Sequence, residues 1–280
     1  MAYTLTVKND RNETLDLSGN EYIKIYKIGG LSPAAAEISA IDAVGYDGGS
    51  FSAARTGYRN ITLQLVPVKN IEESRQLLYT FFAPKKKVRL YFKNKGRDVY
   101  IDGYVETMEA DLFDEMQTAD ISILCPNPYF IKNEDPDHYA ADTSDNKATL
   151  TLNGGDTESG LKFTINLNAP HGRHKPIIIE NTTHNEKITI KNTAEYYGGY
   201  FIINTFPGEK SATHGTVEMI PEDNIIADIE IPMTANGYSR KWVMLHPGEN
   251  VFKIYIQDRE LSDGTGVFVK VTTYRYYTGV

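Results

Sequence analysis

Apolar and polar residues alternate with a period of two along most of the first 130 residues. Gly, Pro, Asn or Asp bound each run, as is typical of half-buried β-strands. The predicted strands are 22–28, 60–66, 88–92, 99–108 and 118–124. Between two of them, residues 93–97 predict a hairpin turn in which Gly96 supplies a positive φ.

One segment of the first half has helical periodicity instead. Asn70 is a candidate N-cap, and Glu73 three residues later completes a possible capping box. Pro84 then ends the helix. The predicted apolar stripe is formed by Ile71, Leu77, Leu78, Phe81 and Phe82.

The second half again favours strands, separated by turns every 10–15 residues, which is typical of an antiparallel β-sandwich. Residues 242–245 and 251–255 around Pro247–Asn250 predict a hairpin. The predicted strands are 149–153, 161–167, 176–180, 187–192, 200–204, 216–220, 225–231, 242–245, 250–257 and 267–277.

The polar segment 133–148 lacks an apolar period, and we interpret it as a linker. The sequence thus predicts a mainly β protein with an N-terminal domain over 1–132 and a C-terminal sandwich over 149–280.

Charge changes this picture only modestly. The formal net charge of −8 is uneven, with −1 over residues 1–132 and −7 over 133–280. An acidic chain is a poor candidate for sequence-specific nucleic-acid binding through bulk electrostatics. The single cysteine, Cys125, ends an apolar strand and predicts a buried free thiol. We expect neither a signal peptide nor a membrane span.

Catalytic motifs are missing from the sequence. It contains no phosphate-binding loop, dinucleotide fingerprint or Gly-X-Ser-X-Gly elbow. His171 and His174 have ligand spacing but lie in a predicted loop, and His138, His184, His214 and His246 are interpreted as surface residues. We therefore expect no enzyme, catalytic residue, metal or cofactor. A hydrolase using two carboxylates across a groove stays an alternative.

Two opposite charge segments are candidate subunit-interface patches. Cross-strand pairing or solvation is one interpretation, contact between neighbouring subunits a second, and a nucleic-acid channel lined by the basic segment a third. The basic segment contains Lys85, Lys86, Lys87, Arg89, Lys93, Lys95 and Arg97. The acidic segment contains Glu106, Glu109, Asp111, Asp114, Glu115 and Asp120.

Three motifs make the first 130 residues similar to the N-terminal domain of distal tail proteins of long-tailed phages. The first is the run 57–65, in which Gly57 and Arg59 precede an alternating strand. The second is the short helix ending at Phe82, and the third is the closing run 125–130, Cys-Pro-Asn-Pro-Tyr-Phe. The 242–255 segment resembles the close of that family's C-terminal sandwich.

The resemblance implies a structural subunit at the tail tip of a virion, prophage particle or phage-tail-like bacteriocin. The N-terminal domain would be sandwich-like and would form a ring, expected to be a homo-hexamer. That ring would join the tail tube protein to the tail-tip or tail-associated lysin protein, with other baseplate or receptor-binding proteins as further possible partners. The C-terminal sandwich would be galectin-like or similar to a carbohydrate-binding module.

A carbohydrate-binding module that attaches the particle to the host cell wall is the alternative function. Such a site needs exposed aromatic rings beside polar side chains. The candidate carbohydrate platform comprises Tyr196, Tyr197, Tyr200, Tyr238 and Trp242.

Overall fold

A computed structural model of the 280-residue chain describes residues 3–42, 44–45, 47–111, 117–141, 147–168, 176–191, 199–216, 218, 220–231, 241–257 and 266–280. The chain divides into two compact units. Unit 1 contains residues 1–133 and 277–280, and unit 2 contains residues 134–276. The predicted mainly β fold class is confirmed, and α1 is the only α-helix in the described part of the chain.

Unit 1 is built on one antiparallel sheet whose main path runs β2-β1-β7-β8-β9-β6-β3. The hairpin β4–β5 forms a separate two-stranded sheet, and β10 pairs with β8 and with the last strand, β22 (Tyr276–Tyr277). The elements are β1 (Thr4–Asn9), β2 (Thr14–Asp16), β3 (Ile23–Gly29), β4 (Ala36–Asp42), β5 (Gly49–Thr56), β6 (Arg59–Pro67), α1 (Ile71–Phe81), β7 (Lys87–Lys93), β8 (Asp98–Ala110), β9 (Ala119–Cys125) and β10 (Phe130–Lys132).

Period-two alternation explains the core of unit 1. In β6 every second residue from Arg59 to Pro67 is buried, and β7 and β9 follow the same rule. Helix α1 contributes Leu78 and Phe81 to this core, joined by Phe82 just beyond its end. Burial of these large side chains is the main stabilising term of the unit.

Three local predictions in unit 1 are wrong. Asn70 holds the N-cap position, but its φ is 44° and its side chain donates to Glu73 instead of accepting from a backbone N–H. Ile71 and Leu77 are exposed, while Ser74 is buried. The Ser74 hydroxyl donates a hydrogen bond to the carbonyl of Lys69, which satisfies this polar group inside the protein. In the β7–β8 turn Gly96 has no positive φ, and the Asn94 carboxamide accepts two backbone N–H groups instead.

Unit 2 contains two antiparallel sheets, ordered β11-β21-β13-β16-β17-β18 and β12-β20-β14-β15-β19. A single-turn 3-10 helix over Ile226–Asp228 precedes β19. The strands are β11 (Asp137–Ala141), β12 (Ala148–Asn153), β13 (Leu161–Asn168), β14 (Ile177–Asn181), β15 (Glu186–Ile190), β16 (Gly199–Asn204), β17 (Ser211–Gly215), β18 (Asp223–Asn224), β19 (Ile229–Glu230), β20 (Glu249–Ile256) and β21 (Gly266–Thr273).

The inner faces of the two sheets of unit 2 pack into one hydrophobic core. Phe163 of β13 meets Phe252 of β20 edge-on, with ring centroids 6.1 Å apart, and so links the six-stranded sheet to the five-stranded sheet. Two sheets with their apolar faces in contact form the predicted antiparallel sandwich.

Some predictions for the second half fail for identifiable reasons. Residues 137–141, within the segment interpreted as a linker, form β11 because they pair along β21. Residues 216, 218 and 220 do not belong to a strand, and β17 lies earlier, at 211–215. The predicted 242–255 hairpin is absent, because β20 pairs with β12 and β14 while Leu245 bridges Ser159. The division into domains over 1–132 and 149–280 stays a prediction.

No helix in the described ranges is long and apolar enough to cross a bilayer. Cys125 is a buried free thiol, as predicted, and burial raises its pKa to about 12. Gly103 faces it so closely that a Cβ there would lie 2.9 Å from the Cys125 sulfur.

We expect the thiol of Cys125 to be unreactive toward Ellman's reagent at pH 8 in native protein and to react fully in urea. Because the folded pKa exceeds the ordinary value of 9.0, stability should be intact below about pH 9 and should fall as the pH rises toward 12. Urea titrations at pH 8 and 11 measure this loss. The Cys125→Ala control should show a smaller loss, and an equal loss would contradict the assignment.

Candidate functional site

Arg59 connects the sequence motifs that carried the family resemblance. It occupies a core-facing position of β6 with 3% exposure and lies opposite Cys125 of β9. Its guanidinium carbon is 4.6 Å from the centroid of the Phe130 ring. The run at 57–65 and the run at 125–130 therefore form a single local structure.

Four backbone carbonyls accept hydrogen bonds from the Arg59 guanidinium. Nε donates to Pro128 at 2.6 Å, and Nη2 donates to Thr278 at 2.7 Å. Nη1 donates to Gly30 and Ser32 at 2.5 and 2.6 Å. Burial lowers the pKa of Arg59, since no carboxylate among the described residues compensates its charge. The side chain thus fastens the C-terminal residues 277–280 and the loop after β3 to the same point of unit 1.

The β4–β5 hairpin, which we name the arm, is built very differently. Every residue of both strands is exposed, so the arm adds nothing to the core of unit 1. Its strands pair with each other and with no other described strand. It nevertheless carries large apolar side chains, with Ile38, Ile41 and Phe51 exposed by 70%, 63% and 70%. An exposed apolar patch of this kind marks an interaction surface.

The predicted basic patch is mostly neutralised within unit 1. Arg89 of β7 makes a bidentate ion pair with Asp102 of β8, at 2.6 and 2.8 Å, and Lys87 contacts the same carboxylate. Burial alone would raise the pKa of Asp102, but hydrogen bonds from these cations hold it below its ordinary value. Lys86 and Lys93 pair with Asp10 and Asp98 respectively.

Three other members of the basic patch have different surroundings. The guanidinium carbon of Arg97 lies 4.3 Å from the ring centroid of Tyr277. Lys85 and Lys95 are exposed, and neither forms an ion pair with a described residue. Among the described residues, Lys85 and Lys95 therefore have no carboxylate partner within the subunit.

The acidic segment does not pair with the basic segment in the described part of the chain. Glu109 of β8 lies directly opposite Asp120 of β9, an arrangement that like charges make unfavourable. Glu106 sits at a break in the β8–β9 register and accepts a hydrogen bond from Ser122 at 3.0 Å. Asp111 begins the connection after β8, whereas Asp114 and Glu115 lie outside the described residues. Subunit contact through either patch stays a prediction.

The candidate carbohydrate platform is only partly described. Tyr196, Tyr197 and Tyr238 lie outside the described residues. Tyr200 lines a groove on the six-stranded sheet, whereas Trp242 packs partly buried against the core of unit 2 and does not line that groove. Sequence reasoning missed two other aromatic residues of the groove, Tyr139 and Phe268. Tyr139 was overlooked because it lies within the segment interpreted as a linker.

Two of the four histidines interpreted as surface residues differ from the prediction, whereas His184 is exposed as predicted. His214 is 4% exposed, and His246 is held between Glu158 and Glu186 at 3.1 and 2.8 Å, so neither is a simple surface residue. The ring of His184 stacks on His246, and His171 and His174 lie outside the described residues. In the described ranges no three His, Cys, Asp or Glu side chains are grouped to hold a metal.

No protein-family model matches this chain, and no curated protein matches its sequence. One solved structure nevertheless shares its fold and confirms the resemblance to phage distal tail proteins at the level of the fold. This chain is similar to the crystal structure of the SPP1 Dit protein (gp 19.1), with a TM-score of 0.60 and 11% identity. That likeness covers 98% of this chain and 99% of SPP1 Dit.

SPP1 Dit is described as a paradigm of the hub adsorption apparatus in phages that infect Gram-positive bacteria. Chains of the phage P2 baseplate in its activated conformation, with Ca and with Sr, also match over the full length of both chains. Their TM-scores are 0.45, with 12% and 13% identity, which is too weak to support a shared fold.

Replacing Arg59 by Met should lower the free energy of unfolding by about 3 kcal/mol or more, because buried carbonyls lose their donors. Arg59→Lys should recover little of this, since an ammonium cannot match the fork of a guanidinium. Urea unfolding followed by circular dichroism measures both effects.

Arg55→Met is the matched control for these variants, because Arg55 forms an exposed ion pair with Glu37 on the arm. Its unfolding free energy should change by less than about 0.5 kcal/mol. Equal midpoints for Arg59→Met and wild type would show that Arg59 does not fasten unit 1.

Proposed function

We propose that this protein is a structural, non-catalytic subunit of a phage-type tail tip or baseplate. Copies of unit 1 would close into a ring, a homo-hexamer as the family resemblance implies. The ring would join the tail tube to the tail-tip or lysin protein and would reside in the virion tail. The fold shared with SPP1 Dit over nearly the entire chain supports this class of function.

The arm is the observation that carries the ring proposal. A two-stranded hairpin with no packed face is only marginally stable in water. Here it presents Ile38, Ile41 and Phe51 to solvent, so a neighbouring surface would remove apolar area from water. An arm reaching from one copy onto a different surface of the next makes a head-to-tail contact, and such contacts generate closed rings.

Charged residues of unit 1 would orient neighbouring copies, while apolar contacts of the arm would supply most of the binding free energy. Lys85 and Lys95 are exposed cations, and the Glu109–Asp120 pair is an exposed acidic surface on the same unit. Opposite patches on two copies accelerate association and select one orientation, mainly at low salt.

Replacing Ile38, Ile41 and Phe51 together by Ser should weaken self-association by about 100-fold or more, since buried apolar anchors dominate interface energies. Size-exclusion chromatography with light scattering, with and without tail tube and tail-tip proteins, gives the oligomeric state. The monomer's melting temperature should stay unchanged, because the arm lies outside the core.

Ile220→Ser is the control for the arm variant, since Ile220 is 57% exposed but belongs to unit 2. It should assemble like wild type. A wild-type chain that stays monomeric even with both partners would overturn the ring, and normal assembly of the triple variant would exclude the arm as its contact.

Charge reversal at Lys85 and Lys95 should slow assembly at low salt and have little effect at high salt. These two lysines are preferable to Lys86, Arg89 and Lys93, whose reversal would break ion pairs within the subunit. Lys241→Glu, an exposed change in unit 2, is the control. If the variant assembles at the wild-type rate at both low and high salt, the basic patch does not contribute to assembly.

A further inference from the structure

A groove crosses the outer face of the six-stranded sheet of unit 2, opposite the face that packs into the core. Its cavity of about 440 Å³ lies within the range of small-ligand sites. The lining residues come chiefly from β11, β21, β13 and β16, and they include Tyr139, Thr164, Asn166, Tyr200, Phe268 and Lys270.

Strand register places an amide between two aromatic rings on this face. Asn166 of β13 lies opposite Phe268 of β21 on one side and Tyr200 of β16 on the other. Neighbouring strands are about 4.8 Å apart, so the two aromatic positions are separated by roughly 10 Å. The row ends in small residues, Ala141 beyond Phe268 and Gly215 beyond Tyr200.

The adjacent row supplies a third ring and further polar groups. Tyr139 of β11 lies opposite Lys270 of β21, which lies opposite Thr164 of β13. Tyr139 is 70% exposed and Phe268 is 52% exposed, so both rings are accessible to a ligand. The side-chain amide of Asn166 forms no hydrogen bond with a described residue, so its donors and its acceptor are available to a ligand.

The charges of the groove select against an anionic ligand. Lys270 is the only cation among the described lining residues, and its ammonium contacts Glu218 at 3.3 Å and Asp137 at 3.6 Å. These two carboxylates leave one excess negative charge around the groove. A phosphate or carboxylate would be repelled there, whereas a neutral molecule would not.

We infer that this groove binds a neutral saccharide of about one or two hexopyranose rings. The C–H face of a sugar ring packs on an aromatic ring, and its hydroxyls both donate to and accept from an amide, a threonine hydroxyl and the Lys270–Glu218 pair. A protein partner would need roughly 800 Å² on each side, much more than this groove offers. Sugar binding and oligomeric state are measured separately, so failure of this inference can be distinguished from failure of the proposed ring.

The test uses the full chain with lactose, cellobiose, maltose and N,N′-diacetylchitobiose at millimolar concentration. Saturation-transfer NMR detects contact, and isothermal titration calorimetry gives the affinity. At least one disaccharide should bind, and Tyr139→Ala, Phe268→Ala and Asn166→Ala should each weaken it by about tenfold. These side chains lie on the outer face, so the variants should keep the wild-type melting temperature.

Tyr58→Ala is the matched control, since Tyr58 is 74% exposed but belongs to unit 1, and it should bind sugar like wild type. Glucose 6-phosphate and glucuronic acid should bind more weakly than the neutral probes. The inference is overturned if no neutral disaccharide binds, if the anionic sugars bind better, or if the groove variants bind normally. It is also overturned if the groove variants lose only subunit or baseplate association.

Discussion

Unit 1 depends on a cation buried where a strand pattern would ordinarily place an apolar side chain. Arg59 follows the inward phase of β6, and its guanidinium donates to carbonyls of three separate segments, at 30–32, 128 and 278. Burying a charge without a carboxylate is costly, and hydrogen bonds to carbonyl dipoles offset that cost only when all of them form together. The chain's last residues are therefore held in the same unit as its first.

The arm differs from the region around Arg59 because it makes no contact with the core of unit 1. The backbone groups of its two strands pair with each other, yet none of their side chains reaches the core. Ile38 and Phe51 are consequently exposed to solvent and add no buried apolar area to the fold of the isolated unit. In the proposed ring the arm would complete its apolar contacts on a neighbouring subunit, so that folding of the monomer would be separate from assembly.

Unit 2 uses the two faces of one sheet for different purposes. The inward residues of β13 and β21, such as Phe163 and Val271, form the core, while outward residues such as Asn166 and Phe268 line the groove. Buried Asn250 shapes the neighbouring 246–250 turn, since its carboxamide bonds the backbone of His246 and Gly248 and the side chain of Asn181. This polar cluster, rather than a hairpin, positions Leu245 against Ser159.

Period-two alternation was enough to predict most strands, the mainly β class and the buried thiol of Cys125, because local pattern decides which face of a strand is buried. The same alternation could not predict which strands pair with each other. Residues 137–141 become β11 only through distant β21, and Asn166 meets Phe268 and Tyr200 only through sheet register. Arg59 could be recognised as part of a motif, but its carbonyl partners are up to 219 positions away in the chain. Such contacts are settled by tertiary structure, since sequence periodicity carries information about neighbours along the chain and none about neighbours across a sheet.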